Sequence, residues 1–454
     1  MSKKLLIIGA VIVAVLAALP LVGNMGVKKI TEDRIAMLET NGIKVDQSDN
    51  GSGYMTTKRH YEFTLEDPTA FKDYLSTLSK AQVPAYLSTM LDDVVMGADV
   101  EYSNLLINSD VMVDLYPVAF SQEAGERMKA EDAKLYEQMV AMLENRAFMY
   151  HMEYDVSGER FKGHIKDIDK TITFQDGRVA NIVFEKAVFE GEGTLVEPKR
   201  VDLNVKRANL DFSLPDDAQM KLMMEDLSSQ STFNAKNSFD LTYKAKRLTF
   251  YFKDEVSTLE VNATEMRTTS KSATNNGKLN TIVDASVKQF SMNDQNNSVT
   301  LEEFSFKMDA DNVDEEAYEA FQKASEHSAA GSQYTMLAAV GVVSKGFNIN
   351  IEKLSVNKIA INDSKMMNGF EHTIKINVKE DDNLVQKLQV SPLALLQNID
   401  IDAKLNFASE FYAFMKAQGS NVTMADDFAK IDGDNVLFDI ILKDGQVSVN
   451  GKSL

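Results

Sequence analysis

The chain has 454 residues, 44% of them hydrophobic and 26% charged, with no cysteine, no tryptophan and a formal net charge of −20. That composition excludes wholesale disorder, and the missing cysteine excludes disulfides, thiolate nucleophiles and cysteine-ligated zinc. So acidic a surface repels phosphate backbones, so nucleic acid is not an expected partner.

Leu5 to Gly23 (LLIIGAVIVAVLAALPLVG) carries no charge. Roughly 20 apolar residues in helical form span a bilayer core. Lys3 and Lys4 precede the run as in a signal peptide. The run is longer than the usual apolar region of one, and its small-x-small cleavage pattern is poor. An uncleaved anchor over residues 1–23 is expected, and no lipobox cysteine follows. The positive charges before the run place the N-terminus in the cytoplasm and the body outside. Met336 to Val343 is too short for a second span and reads as the end of a buried helix.

After the run, Ile30, Arg34, Met37 and Leu38 fall at helical spacing, predicting a short juxtamembrane helix from Lys28 to Thr40, stopped by Asn41-Gly42. Gln47 to Gly53 reads as a polar loop, and Tyr54 to Leu65 alternates as a strand. Asp67-Pro68 then caps a helix with Phe71, Tyr74, Leu75 and Leu78 on one face. One long helix is predicted from about Gln122 to Asn145, with Met128, Leu135, Met139, Met142 and Leu143 along a stripe that suits an adaptable core. Asp176-Gly177 and Asp444-Gly445 are hairpin signals. Leu301 to Met308 and Ile399 to Phe407 each read as a strand handing over to a helix. Asp314 caps the first helix, with Tyr318 and Phe321 inward, and Ser409 the second, with Phe411, Phe414 and Met415.

A strand motif recurs in which the apolar phase jumps by one residue. Val201, Leu203 and Val205 are followed by Ala208, Leu210 and Phe212. Leu241, Tyr243 and Ala245 are followed by Leu248, Phe250 and Phe252. Val283, Ala285 and Val287 precede Phe290 and Met292, and Phe347, Ile349 and Ile351 precede Leu354 and Val356. Lys206-Arg207, Lys246-Arg247, Lys288-Gln289 and Glu352-Lys353 separate the halves. Side chains on a strand alternate faces, so the extra residue is expected to move the apolar set to the other face, through a β-bulge that bends the strand. Two outcomes stay open. One is two stacked cores, one on each face. The other is an open apolar trough able to hold acyl chains, with Leu248, Phe250 and Phe252 as possible lipid-facing residues.

The histidines (His60, His151, His164, His327 and His372) show no metal-ligand spacing, and no nucleophile elbow, P-loop or dinucleotide fingerprint is present. Asp309 to Glu316 (DADNVDEE) lacks the glycine of a calcium loop, and its acids suit a helix N-terminus. Asp432, Asp434 and Asn435 around Gly433 read as a turn. No catalytic, cofactor-binding or metal residue is named on these patterns.

Three features together resemble the YdgA-like family of bacterial envelope proteins of unknown function. They are the charged start with one apolar helix, VVSKGFNINIEKLSVNKIAIND at Val342 to Asp363, and the terminal LKDGQVSVNGK at Leu442 to Lys452. The resemblance implies a Gram-negative inner-membrane or periplasmic location and carries no catalytic residues. The bent strands are also similar in style to AsmA-like envelope proteins, whose apolar grooves are linked to phospholipid handling, a likeness of fold alone.

The expectation is an α+β body: a predominantly antiparallel, strongly curved β-sheet with several packed helices, preceded by one N-terminal transmembrane helix. The boundaries are 1–23 (anchor), 24–45 (juxtamembrane helix), 46–200 (α+β region) and 201–454 (repeated bent strands). The expected function is a non-enzymatic structural or interaction role in the periplasm, anchored in the inner membrane. The alternative is a lipid-binding or lipid-transfer module with phospholipid as partner.

Overall fold

A computed structural model describes residues 35–49, 51, 53–71, 74, 94–103, 110–155, 157–194, 198–214, 218–235, 237–327, 333–362, 364–391, 393–419 and 426–453. Leu5 to Gly23 and the start of the juxtamembrane helix lie outside them. No helix among the described residues is long and apolar enough to cross a membrane. Strand accounts for 62% and helix for 21%, so the fold is mostly sheet; the pairing is antiparallel and the sheet is not closed. The chain divides into two compact units, Met1–Gln230 and Ser231–Leu454.

The first unit holds β1 (Ile43–Asp49), β2 (Thr56–Leu65), β3 (Val94–Ser103) and β4 (Asp110–Phe120), then helices α1 (Gln122–Glu131) and α2 (Ala133–Glu144). β5 (Tyr150–Asp155), β6 (Arg160–Ile165), β7 (Ile168–Thr173), β8 (Val179–Gly193) and β9 (Pro198–Ser213) follow, and β10 (Gln219–Ala235) carries the unit boundary. Successive strands pair from β1 to β6. β6 and β7 then share one side of the long β8, and β9 lines its other side. One face is the main core, built from alternate residues such as Phe63, Val100, Leu115 and Tyr154.

The second unit contains β11 (Ser238–Lys253), β12 (Thr258–Asn275), β13 (Lys278–Asp294), β14 (Ser298–Asp314), α3 (Glu315–His327), α4 (Gln333–Ser344), β15 (Phe347–Ile361) and β16 (Met367–Val378). After these come α5 (Leu384–Val390), α6 (Ala394–Gln397), β17 (Ile399–Ala408), α7 (Ser409–Ala417), β18 (Lys430–Asp432), β19 (Asn435–Lys443), β20 (Gln446–Val449) and β21 (Lys452–Ser453). β11 to β17 pair in chain order, and β19 then joins the far side of β17.

Residues 35–40 are helical and end at Gly42, whose φ is +85°. Gln47 to Asp49, read as loop, instead complete β1, because they pair with Tyr61, His60 and Arg59. Asp67 caps its helix by accepting from the Thr69 and Ala70 amides at 3.0 Å. Asp314 accepts from the Ala317 amide at 3.0 Å, as expected. Ser409 is the first helical residue rather than the cap; its amide donates to Asp434 O at 2.8 Å. Asp444 and Gly445, both at positive φ, make the expected hairpin between β19 and β20.

The single helix expected from Gln122 to Asn145 is two helices. Asp132, with φ −154°, breaks the run and caps α2 by accepting from the Leu135 amide at 2.8 Å. Its other oxygen accepts from the Gln175 amide at 2.8 Å, so a long-range partner outweighs helical periodicity here.

Candidate functional site

The repeated phase jump places the site. Each motif strand runs unbroken through its polar pair, and neighbouring strands meet pair against pair. Ala245 pairs with Met266 and Arg247 with Thr264, leaving Lys246 facing Glu265 between them. Met266 pairs with Val287 and Thr264 with Gln289, so Glu265 also faces Lys288. Val287 pairs with Phe304 and Gln289 with Glu302, so Lys288 faces Glu303 in turn. Both strands of every pair therefore gain one residue at the same height, and the register is not shifted there. On alternate strands the extra residue is left-handed: Lys186 on β8, Asp226 on β10, Glu265 on β12 and Glu303 on β14.

The apolar set does not change faces, contrary to expectation. Phe184 and Ala187, Val205 and Ala208, and Met224 and Leu227 share one cluster although each pair straddles the jump. Leu301 and Phe304, Val356 and Ile359, and Met367 and Phe370 share another. The local bulge turns two successive polar side chains to the same side, so the alternation resumes on the original face. Glu352-Lys353 is a separate irregularity: the β14–β15 register shifts beside it, Lys307 standing opposite Lys353 and forming an ion pair with the Glu352 carboxylate.

In the second unit the result is one apolar face crossing many strands. Leu248, Ala263, Phe290, Leu301, Ile359 and Met367 form one cross-strand row, and Phe250, Val261, Met292, Val299 and Ile361 the next. From β15 to β17 this face is covered. Phe411, Phe414 and Met415 of α7 pack on Val356, Ile359, Met367 and Phe370. His372 lies among these aromatics, its ring 4.7 Å from both Phe370 and Phe407. The Asn406 amide donates to its Nδ1 at 3.3 Å, and burial pushes the imidazole below its ordinary pKa.

Over β11 to β13 the same face is less covered by the described residues: Ala263 is buried, but its larger neighbours are not. Leu248, Phe250 and Phe252 are half-buried, as are Val261, Phe290 and Met292. None of them belongs to a buried cluster among the described residues. The opposite face carries, from β12 to β17, a cleft of 720 Å³ lined mostly by polar residues, among them Ser286, Ser305, Ser355, Lys288 and Glu303, with Val287 and Phe304 beside them. It is no second apolar core.

The first unit holds a polar row that sequence spacing cannot show. His60, Asp99, Asp114, His151 and His164 are successive cross-strand neighbours from β2 to β6. His60 Nδ1 lies 2.7 Å from Asp99, and His151 Nδ1 lies 2.6 Å from Asp114. Tyr116 donates to Asp99 at 2.9 Å, and Arg146 reaches the same carboxylate at 2.8 Å while lying over the Tyr116 ring. Burial opposes the Asp99 charge, but the His60 and Tyr116 hydrogen bonds and Arg146 outweigh it and hold its pKa below the ordinary value. Burial, then the Asp99 bond, pushes the Tyr116 phenol well above its ordinary value, which leaves it a donor rather than a nucleophile. Among the described residues no group of three or more histidine, aspartate or glutamate side chains could hold a metal ion.

Compared with protein-family models, curated proteins and solved structures, the chain matches none.

Proposed function

We propose that the chain is a non-enzymatic, membrane-anchored envelope protein of the YdgA-like kind. On this reading the body lies in the periplasm and binds the acyl chain of a phospholipid on the open apolar face of β11 to β13. The observation that supports this is the contrast along one face: α7 covers β15 to β17, while β11 to β13 present half-buried Leu248, Phe250 and Phe252 without a covering cluster among the described residues. Each methylene fully buried on such a face contributes about 0.8 kcal/mol, so binding of any strength needs most of an acyl chain. The acidity of the chain suits a ligand held by its tail rather than by an anionic headgroup.

The test is Phe250→Asp in the full chain, extracted from membranes and read by native mass spectrometry and by a thermal melt. Loss of phospholipid adducts with an unchanged melt supports the reading. A large drop in melting temperature assigns Phe250 to a filled core and overturns it. A wild-type chain without lipid adducts leaves the other role, interaction with an envelope protein.

A further inference from the structure

The polar face of the second-unit sheet carries a site that acyl binding does not use. Its cleft of 720 Å³ is lined entirely by residues within Ser231–Leu454. That volume falls within the roughly 300–1,000 Å³ of ordinary ligand sites. The row of extra residues shapes it. Lys246, Glu265, Lys288 and Glu303 face one another from β11 to β14. Glu303 then meets Asn357 of β15, whose Nδ2 donates to Oε2 at 3.0 Å. Val356 pairs with Phe370 and Lys358 with Asn368, so Asn357 faces Gly369. Gly369 is buried, and a Cβ there would collide with the Val356 carbonyl oxygen. The long side chains over β12 to β14 therefore give way to bare backbone on β16, inside the cleft.

A second row lines the same cleft. Ser286, Ser305, Ser355, Glu371 and Asn406 are successive cross-strand neighbours from β13 to β17. Their side chains make no hydrogen bond or ion pair among the described residues. Ser355 is only 7% exposed. The Asn406 Oδ1 is buried without a partner. Buried polar atoms are nearly always paired, because leaving one unpaired is costly. The Asn406 carboxamide is thus committed to no other group, and a ligand hydroxyl donating to it relieves that cost.

The lining selects the chemistry of the ligand. Hydroxyls and carboxamides both donate and accept, and the Glu371 carboxylate accepts. The lysines of the cleft, Lys288 and Lys353, stand with Glu265, Glu303 and Glu371, and Glu265 holds Lys288, so an anion finds no surplus of positive charge. An extended peptide needs an open strand edge, but each strand from β13 to β17 is paired on both sides. A neutral ligand with closely spaced groups that each donate and accept meets all of these conditions, and a sugar ring is such a ligand.

We propose that this cleft binds a neutral oligosaccharide, its hydroxyls bonding to Ser305, Ser355, Glu371 and Asn406. The site uses the face opposite Leu248, Phe250 and Phe252, so it stands or falls apart from acyl binding.

Maltotriose, cellotriose and tri-N-acetylchitotriose are titrated into the full chain in a sugar-free detergent and followed by calorimetry. At least one should bind with millimolar or tighter affinity, and binding by none of them overturns the proposal. Inorganic phosphate should not compete; competition would assign the cleft to an anion instead. Asn406→Leu and Glu371→Ala should each weaken sugar binding roughly ten-fold, as the loss of a hydrogen bond does. Asn406→Leu should not lower the melting temperature, since it removes an unpaired buried oxygen. If it does lower the melt, the exposed Glu371 decides. Affinity unchanged by Glu371→Ala places the sugar elsewhere and overturns the proposal. Phe250→Asp should leave sugar affinity as it is, and a loss there also counts against a site on the polar face.

Discussion

Lys288 Nζ lies 2.5 Å from Glu265 Oε1, across two neighbouring strands at the height where each carries its extra residue. The hydrogen bond and the charge of Glu265 raise the Lys288 pKa. Glu265 meets this lysine with φ +46°, a left-handed backbone within a strand. Opposite charges facing each other at the bulge favour the register that keeps Leu248, Ala263 and Phe290 in one row.

Glu265→Val therefore tests the bulge itself. A β-branched side chain is disfavoured in the left-handed region, at a cost of roughly 1–2 kcal/mol. Glu265→Gly should be close to neutral, because glycine adopts that conformation freely. Thermal melts of the two variants should differ in this order, and equal melts would show that the bulge tolerates other backbone angles.

Asp132 joins helix α2 to the start of the β7–β8 turn. Hydrogen bonds from the Gln175 and Leu135 amides hold its pKa below the ordinary carboxylate value. A lowered folded pKa gives stability that is present above the ordinary value and lost as pH falls through the folded one. Asp132→Ala should speed amide hydrogen exchange at Leu135 and Gln175 together. Faster exchange at Leu135 alone would reduce Asp132 to a simple cap.

His372 gives a pH dependence of the same sign from a base. Burial lowers its folded pKa below the ordinary imidazole value of about 6.5. Above that value both states are neutral and stability is full. As pH falls from there to the folded pKa, the unfolded chain binds the extra proton and stability declines. His372→Phe should flatten this decline in melts taken from pH 7 downward. NMR titration of His372 should give a midpoint below the ordinary histidine value, and a midpoint above it would contradict the packed aromatic cluster.

The repeated strands were legible because the apolar phase jump is local: Ala245 to Leu248 and Val287 to Phe290 show it without any partner. What the jump does to the faces was not, because that depends on a left-handed residue on the neighbouring strand. The acidic Glu265 and Glu303 that answer Lys246 and Lys288 are visible only once the strands are paired. The His60–Asp99 and His151–Asp114 contacts likewise join residues 39 and 37 positions apart. Of the stretch read as the end of a buried helix, Met336 and Leu337 are exposed, while Ala338 to Val343 are half-buried. The helix break at Asp132 was missed because its deciding partner, Gln175, lies on a later turn.

The most direct test of the central claim is photo-crosslinking of the full chain in vesicles containing a phospholipid with a diazirine in its acyl chain. Crosslinks mapped by mass spectrometry should fall on β11 to β13, at side chains such as Phe250, Val261 and Met292, and spare Phe370 and Phe407 under α7. Crosslinks confined to residues 5–23, or spread equally over the covered and open parts of the face, would contradict it.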